Sequence, residues 1–210
     1  MRPACTLLAV SKTKPVEDIQ AAYDAGHRHF GENYVDEFVE KAPKLPDDIQ
    51  WHFIGHIQSN KAKKLVQVPN LALVETVDSA KLATKLNTEL LKISRAQPLP
   101  VLVQVHSGGE ASKFGVEPED VPTLVGHIQA DCPQLKFSGL FSMGLLHDIE
   151  GFKMMAALKK DLMETSGLTE ETFLLSMGTS GDYEEAILGG ATEVRLGTTI
   201  FGAREYPAQK

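Results

Sequence analysis

Residues 71–106 read LALVETVDSAKLATKLNTELLKISRAQPLPVLVQVH and place a helical pattern between two apolar runs. The runs Leu71–Val77 and Val101–His106 are short and almost continuously apolar, as strands covered on both faces of a sheet are. Between them, Ser79–Ile93 has apolar residues at helical spacing, and Ser79 or the residue before it is the expected cap. The apolar face consists of Leu82, Leu86, Leu90 and Ile93. The stretch therefore predicts a strand–helix–strand unit.

Further apolar runs extend the same alternation along the whole chain. They are Thr6–Ser11, His29–Asn33, Gln50–Gly55, Phe137–Met143, Phe173–Met177 and Glu193–Leu196. Helices are predicted to begin at Pro15 and to cover Phe152–Met163. Eight strands alternating with helices are compatible with a closed (β/α)8 TIM barrel or an open doubly wound sheet, and the count of eight favours the barrel.

Composition and charge narrow the class of protein. The chain has 210 residues, of which 42% are hydrophobic and 23% charged, so it is expected to form one globular domain over residues 1–210. The two cysteines, Cys5 and Cys132, are too few for a disulfide scaffold. A net charge of −7 disfavours nucleic acid as a partner. The sequence has no membrane-length apolar run and no signal pattern, so a cytoplasmic location and no membrane partner are expected.

Lys12 directly follows the first predicted strand. In a TIM barrel the functional groups lie at the carboxyl ends of the strands. A lysine near apolar walls and other cations has its ammonium form disfavoured, which makes the amine available as a nucleophile. The alternative is a solvated lysine at a strand end, with Lys14 as its equivalent.

Two glycine-containing turns follow the seventh and eighth predicted strands, Met177–Gly181 (MGTSG) and Leu196–Thr199 (LGTT). In barrels this is the frequent place of a phosphate site built from backbone N–H groups. Ser180 and Thr198 add hydroxyl groups, and glycine lets the backbone approach the phosphate oxygens closely. The glycines alone would be compatible with ordinary turns, but two such turns on neighbouring strands favour phosphate.

Arg195 lies between apolar residues of the eighth strand, where a charge is costly unless it is paired. It is either part of an ion pair inside the barrel, with Glu193 or Glu75, or a fixed cation directed at a ligand. Both alternatives remain compatible with the sequence.

The spacing of the histidines raises the question of a metal site, because His27 lies near His29 and His52 near His56 in the sequence. Neither pair belongs to a metal-binding helix motif or to a Cys/His framework. We therefore expect hydrogen-bonded or surface histidines and no metal site.

Several motifs together resemble one known family. They are Leu7–Pro15 (LLAVSKTKP), Phe30–Tyr34 (FGENY), His52–Lys61 (HFIGHIQSNK), Leu175–Gly178 (LSMG) and Val194–Arg204 (VRLGTTIFGAR). These resemble the motifs of the pyridoxal phosphate homeostasis proteins, also called proline synthase co-transcribed homologues. They occur in the order found in the family and extend from near the first residue to near the last.

The resemblance implies a barrel similar to the N-terminal domain of alanine racemase, with pyridoxal 5′-phosphate held as a Schiff base. It implies that Lys12 forms the Schiff base, that Asn33 lies near the cofactor and that Arg195 lies near the pyridine nitrogen. An arginine there would leave the ring nitrogen unprotonated and the ring a weaker electron sink. The implied phosphate cradle consists of Ser176, Ser180, Gly197 and Thr198. The family usually has a helix before the lysine strand, which we expect this barrel to lack.

Three functions are compatible with the sequence. The first is a protein without established catalysis that carries pyridoxal phosphate in vitamin B6 homeostasis, with enzymes lacking their cofactor as acceptors. The second is a pyridoxal phosphate-dependent amino-acid racemase, which would need a second acid–base group of the kind that racemases take from an additional β domain. The third is a phosphosugar enzyme, in which Lys12 would be incidental. The resemblance favours the first, as a monomer or a weak dimer with no assigned catalytic residue.

Overall fold

The eight strands of the protein, seen in a computed structural model that describes residues 5–108 and 114–203, pair in parallel in chain order into a closed barrel. The last strand pairs back with the first, with Leu7 opposite Val194 and Leu8 opposite Arg195. The predicted TIM barrel is therefore confirmed, and the open doubly wound sheet is wrong. Arg204 and the residues before Cys5, where a helix was expected to be lacking, lie outside the described residues.

The elements follow the predicted alternation. The strands are β1 (Thr6–Val10), β2 (His29–Glu32), β3 (Gln50–Phe53), β4 (Leu71–Val77), β5 (Leu99–Val105), β6 (Leu135–Ser142), β7 (Leu174–Thr179) and β8 (Glu193–Leu196). The α-helices are α1 (Val16–Asp24), α2 (Val35–Lys41), α3 (Ala62–Leu65), α4 (Ala80–Lys92), α5 (Val121–Asp131), α6 (Ile149–Ser166), α7 (Tyr183–Leu188) and α8 (Thr198–Phe201). The predicted strand ends differ from these by at most two residues, because pairing of the backbone, rather than apolarity, ends a strand.

The helix α4 begins and ends close to its predicted limits. Ser79 is the cap, since its Oγ accepts from the N–H of Leu82 at 3.3 Å. Leu82, Leu86 and Leu90 are buried as predicted. Ile93 is instead 41% exposed, because the helix ends at Lys92 and the next residue leaves the helical face.

The helix α6 is longer than predicted at both ends. Asp148 caps its start by accepting from the N–H of Gly151 at 2.9 Å. Gly167 ends it in the left-handed conformation, at φ +74°. Both end signals lie outside the apolar pattern, which is why the pattern alone gave too short a helix.

The barrel has an outer and an inner apolar layer. The outer layer, between strands and helices, contains the fully buried Trp51 and Phe53. The inner layer consists of Leu8, Val10, Ile54, Leu73, Leu102 and Phe141. Leu8 and Val10 alternate with Ala9 of the outer layer, as the two-residue period of a strand requires. Each large side chain buried in this way contributes about 1.5–3 kcal/mol.

Two further findings concern the whole of the described chain. Cys5 and Cys132 are both free thiols. Among residues 5–108 and 114–203, the helices are all too short or too polar to cross a membrane.

Candidate functional site

A cavity of about 420 Å³ opens at the carboxyl ends of the strands, and we call it the strand-end cavity. Its lining consists of Val10, Lys12, Asn33, Ile54, Met143, Leu146, Thr179, Ser180, Gly181, Arg195, Gly197 and Thr198. The structure thus brings together six of the seven site residues predicted from the sequence. They come from the ends of β1, β2, β7 and β8, which the closed barrel places around one opening.

Ser176 is the predicted site residue that the structure does not place in the cavity lining. It is fully buried inside the barrel, within β7 rather than at its end. Its Oγ donates to Glu75 Oε2 at 2.6 Å and accepts from Arg195 Nη1 at 3.0 Å. In this geometry Ser176 supports Arg195 instead of facing the space where a phosphate would lie.

Arg195 combines the two alternatives that the sequence left open. Its guanidinium is buried, donates from Nη2 to the Ser142 carbonyl at 2.8 Å and lies 4.4 Å from the centre of the Phe141 ring. It reaches Glu75 through Ser176 and also lines the strand-end cavity. Burial lowers the pKa of Arg195 and the charge of Glu75 opposes this. An arginine starts from so high a pKa that it remains charged, so the cavity has a fixed cation in its wall.

A buried histidine and two carboxylates lie inside the barrel near Arg195. His52 Nδ1 is 2.9 Å from Glu75 Oε1 and 3.1 Å from Glu193 Oε2. Burial alone would lower the pKa of His52, but Glu193 and Glu75 raise it to about 10. Burial and the charge of Glu193 raise the pKa of Glu75. Burial also opposes ionisation of Glu193, but the charge of His52 together with hydrogen bonds from His52, Glu75 and Ser176 outweighs it and lowers the pKa of Glu193. His52 is therefore an imidazolium shared between two carboxylates.

The same three ligand atoms lie within 4.8 Å of one another, a spacing that a metal ion could also bridge. His52 Nδ1 already hydrogen-bonds to Glu75 Oε1 at 2.9 Å and forms an ion pair with Glu193 Oε2 at 3.1 Å. Hydrogen bonding and charge pairing are therefore enough to explain why these three side chains lie together.

The two lysines after β1 have different surroundings. Lys12 is half-buried and lines the strand-end cavity. Lys14 Nζ instead donates to the carbonyls of Phe201 at 2.7 Å and Ala203 at 2.9 Å, at the end of α8. The geometry therefore distinguishes the lysine able to face a ligand from its neighbour, which the sequence could not do.

Lys41, which the sequence analysis missed, lies behind the Lys12 turn. Its ammonium is buried and donates to the Ser11 carbonyl at 2.9 Å and to Glu32 Oε1 at 3.0 Å. The signal that could have found it is its place on α2, where it continues the buried face of Val35 and Phe38 at helical spacing.

Asn33 lies in the cavity wall at the end of β2. Its Oδ1 is buried and has no hydrogen-bond partner within the described residues. Buried polar atoms are normally satisfied, so this wall has an acceptor available to a ligand. The backbone of Asn33 packs closely on Gly55, where an added Cβ would lie 1.9 Å from the Asn33 carbonyl oxygen.

The two glycine turns meet at one side of the cavity. The N–H of Gly197 donates to Ser180 Oγ at 3.2 Å, which joins the turn after β7 to the turn after β8. Buried Asp182 holds the first turn by accepting from the N–H of Thr179 at 2.7 Å. Gly178 adopts φ +87°, and an added Cβ would lie 2.4 Å from the Cβ of Ala186. The N–H groups of Thr179 and Gly197 are thus paired within the turns, and the hydroxyl groups of Ser180 and Thr198 are the donors at this side of the cavity that suit an anion.

A larger cavity of about 610 Å³ lies at the opposite end of the barrel, near the starts of β1 and β8. Its lining includes Cys5, Lys159 and Thr192 but none of the predicted site residues. The strand-end cavity, although smaller, is therefore the candidate site.

Comparisons with known proteins agree with the resemblance of the motifs. The family model for the N-terminal domain of alanine racemase matches residues 1–205. A pyridoxal phosphate homeostasis protein of Mus musculus is 46% identical over 211 residues, which cover 95% of this chain and 77% of that protein. The protein of the same name from Vibrio alginolyticus is 46% identical over 210 residues, covering 95% of this chain and 87% of that one.

Solved structures show the same architecture. PipY of Synechococcus elongatus PCC7942, determined with pyridoxal phosphate bound, has a TM-score of 0.80 at 31% identity, covering 96% of this chain and 94% of that one. Alanine racemase of Clostridium difficile 630 has a TM-score of 0.74 at 16% identity, covering all of this chain (100%) and 55% of that one, which indicates a shared fold. Together with the matching motifs, these relationships establish that the chain belongs to the pyridoxal phosphate homeostasis protein family, built on the barrel of the alanine racemase N-terminal domain.

Proposed function

We propose that this protein binds pyridoxal 5′-phosphate, holds it as a Schiff base on Lys12 and serves cytoplasmic vitamin B6 homeostasis as a carrier. The observation that carries the proposal is the strand-end cavity, which combines a lysine amine, a fixed arginine and the two glycine turns. The names of the relatives and the cofactor bound to PipY support it. We further propose that residues 1–210 form one domain, since β1 and β8 close the same barrel.

The residues present match the chemical groups of the cofactor. An aldehyde requires an amine, which Lys12 supplies from the cavity wall. A phosphate requires N–H or hydroxyl donors, and Ser180 and Thr198 supply hydroxyl groups at the cavity wall. The N–H of Gly197 donates to Ser180 Oγ and so holds that hydroxyl in place. Asn33 adds the unsatisfied polar atom. When bound, pyridoxal phosphate supplies an aldehyde for covalent attachment and a ring that can accept electrons.

The position of Arg195 favours carriage over catalysis. Its guanidinium is fixed by Ser176 and by the Ser142 carbonyl, so it presents donors and cannot take a proton from a ligand. A pyridine nitrogen that faced it would remain unprotonated, which weakens the ring as an electron sink.

The cavity lining also argues against a racemase. Racemisation needs one group to remove a proton and another to return one on the opposite face. Among the described residues, the titratable side chains that line the cavity are those of Lys12 and Arg195. A substrate amine that replaced Lys12 on the cofactor would free Lys12 to act as one of these groups, but Arg195 stays charged and cannot act as the other. Enzymes that lack their pyridoxal phosphate are the proposed acceptors, and the protein is proposed to act as a monomer or a weak dimer.

The first experiment is an absorption spectrum of the protein with pyridoxal phosphate, before and after borohydride reduction, followed by peptide mapping. We expect a visible band and a pyridoxyl adduct on Lys12. Lys12→Ala should lose both, while Lys14→Ala, the matched control, should retain them because Lys14 is held by backbone carbonyls. An adduct on another lysine, or a colourless protein, would overturn the proposal and favour the phosphosugar enzyme.

A second experiment separates a carrier from a racemase. The loaded protein is incubated with L-alanine in D2O and, separately, with an enzyme depleted of pyridoxal phosphate. A carrier should restore the activity of the depleted enzyme and leave the α-hydrogen of alanine in place. Steady incorporation of deuterium would establish the racemase instead.

A further inference from the structure

The ammonium of Lys41 is buried at 8% exposure behind the turn that carries Lys12. Burying an ammonium is costly unless its hydrogen bonds are satisfied. An apolar residue would continue the buried face of α2 without that cost, since Val35 and Phe38 precede it on the same face. A buried ammonium at position 41 is therefore expected to have a specific structural role.

The contacts of Lys41 reach both residues that flank Lys12. On one side, Nζ donates directly to the Ser11 carbonyl at 2.9 Å. On the other side, Nζ donates to Glu37 Oε1, and the same oxygen accepts from the N–H of Thr13 at 2.6 Å. One buried cation thus holds the backbone before Lys12 directly and the backbone after it through Glu37.

The held segment has a backbone conformation that needs support. The N–H of Lys14 donates to the Ser11 carbonyl at 3.1 Å, which closes a turn with Lys12 and Thr13 in its centre. Thr13 adopts φ +63° in the left-handed region, where glycine or asparagine is usual and a β-branched residue is disfavoured. The hydrogen bonds from α2 oppose relaxation of this turn.

A second carboxylate completes the arrangement. Glu32, at the end of β2, is fully buried and accepts at Oε1 from Lys41 Nζ at 3.0 Å and from Ser11 Oγ at 2.7 Å. Glu32 therefore ties the side chain of Ser11 and the ammonium of Lys41 to the neighbouring strand. We call Lys41, Glu32 and Glu37 the lysine clamp.

We propose that the lysine clamp positions the cofactor-binding lysine, fixing the backbone of Ser11 and Thr13 so that the Lys12 amine faces the strand-end cavity. This inference deepens the proposed function and rests on it for the role of Lys12. Lys41 itself is a positioning residue, since the contacts that define its role are made to the Lys12 turn.

The test compares Lys41→Met with Lys44→Met. Both changes remove a charge from the same region, but Lys44 is exposed and does not belong to the clamp. In cofactor-free protein, amide hydrogen exchange at Thr13 should become about tenfold faster or more in Lys41→Met, as loss of a hydrogen bond to a charged group implies. It should not change in Lys44→Met.

The second readout is the formation of the Lys12 adduct per folded molecule, measured with borohydride well below the melting temperature. At a fixed concentration of pyridoxal phosphate, Lys41→Met should form the adduct about tenfold more slowly, or slower still, because a small misplacement of a reacting group is enough to slow bond formation. A conservative variant separates positioning from general damage. Glu37→Gln retains an oxygen that can accept from Thr13 and should convert normally, whereas Glu37→Leu should behave like Lys41→Met.

Each outcome decides the inference. Wild-type exchange at Thr13 together with wild-type conversion in Lys41→Met would overturn it. Should Lys41→Met not fold, equal conversion in Glu37→Leu and Glu37→Gln would overturn it instead. If the unaltered protein forms no adduct on Lys12, the proposed function fails, and the exchange measurement still decides whether the clamp holds the turn.

Discussion

Ser176 Oγ lies 3.0 Å from Arg195 Nη1 and accepts its hydrogen bond, so a serine of β7 supports the cation of β8 inside the barrel. The same hydroxyl donates to Glu75 Oε2 at 2.6 Å. One small residue therefore connects the charge in the cavity wall with the buried carboxylates. The relationship makes Ser176 important for a site that its side chain does not line.

Ser176→Ala should destabilise the protein by about 1–3 kcal/mol, because it leaves buried polar partners on Arg195 and Glu75 unsatisfied. It should also alter the absorption band of bound pyridoxal phosphate, since the guanidinium loses one of its supports. Chemical denaturation and a spectrum of the loaded protein measure the two effects. Ser138→Ala is the matched control, as Ser138 is also buried and its Oγ donates to the Lys136 carbonyl, a partner outside the charged cluster. Equal effects of the two substitutions would contradict the assignment.

Arg195→Gln should change the cofactor rather than abolish its attachment. The variant removes the fixed charge but leaves Lys12 in the cavity wall. We expect a borohydride adduct on Lys12 to form, with an absorption band whose pH dependence differs from that of the wild type. A pH titration that superimposes on the wild-type curve would remove Arg195 from contact with the ring.

His52→Leu should destabilise the protein by about 3–5 kcal/mol, because it leaves two buried carboxylates without their shared cation. The double variant His52→Leu with Glu193→Gln should recover part of the loss, since it also removes one of the charges. Denaturant unfolding of both variants measures this difference. A double variant that is no more stable than the single one would show that the charge pairing is not the cause.

The stability of the protein should fall as the pH rises from about neutral towards 10. The pKa of His52 is raised from 6.5 to about 10, so the folded state binds this proton more tightly than the unfolded state. The stabilisation that comes from the His52 proton is fully present below pH 6.5, the ordinary pKa, and is lost as the pH passes through the raised pKa of about 10. Glu75, whose pKa is also raised, contributes with the same sign at lower pH. The free energy of unfolding, measured with urea at several pH values between 6.5 and 10, should therefore decrease with pH in the wild type. It should decrease less in His52→Gln.

Gly55→Ala should weaken cofactor binding through Asn33. An added Cβ would lie 1.9 Å from the Asn33 carbonyl oxygen, so the end of β2 must move. Gly126→Ala in α5 is the control, because its added Cβ would meet nothing within 4 Å. We expect the control to be neutral or slightly stabilising, as alanine is favoured over glycine within a helix. Similar affinities for pyridoxal phosphate in both variants would exclude this route to the site.

Short-range sequence patterns predict much of the fold. The strands Leu71–Val77 and Glu193–Leu196 have the predicted bounds. Leu71–Val77 is mostly apolar, as burial on both faces demands, whereas Glu193 and Arg195 are charged residues that alternate with apolar ones in the last strand. The strand-end rule for barrels then placed Lys12 and the two glycine turns near one another before any contact was known. Helix ends were less predictable, since Ile93 and Asp148 owe their roles to backbone geometry rather than to an apolar pattern.

The sequence by itself determined the alternation of strands and helices, a strand count that favours the barrel, and the position of Lys12 and the two glycine turns at strand ends, because each of these depends on short-range spacing or on position relative to a strand. The roles of Asn33 and Arg195 toward a cofactor came from the resemblance of the motifs. Only the tertiary structure decided which polar side chains meet inside. Ser176 and Glu75 are 101 residues apart, and Lys41 meets Ser11 across 30 residues. Ser176 meets Glu75 because closure of the barrel brings distant strands into one interior, whereas Lys41 meets Ser11 because α2 packs behind the end of β1. In both places a buried charge needs a partner, which spacing along the chain does not specify.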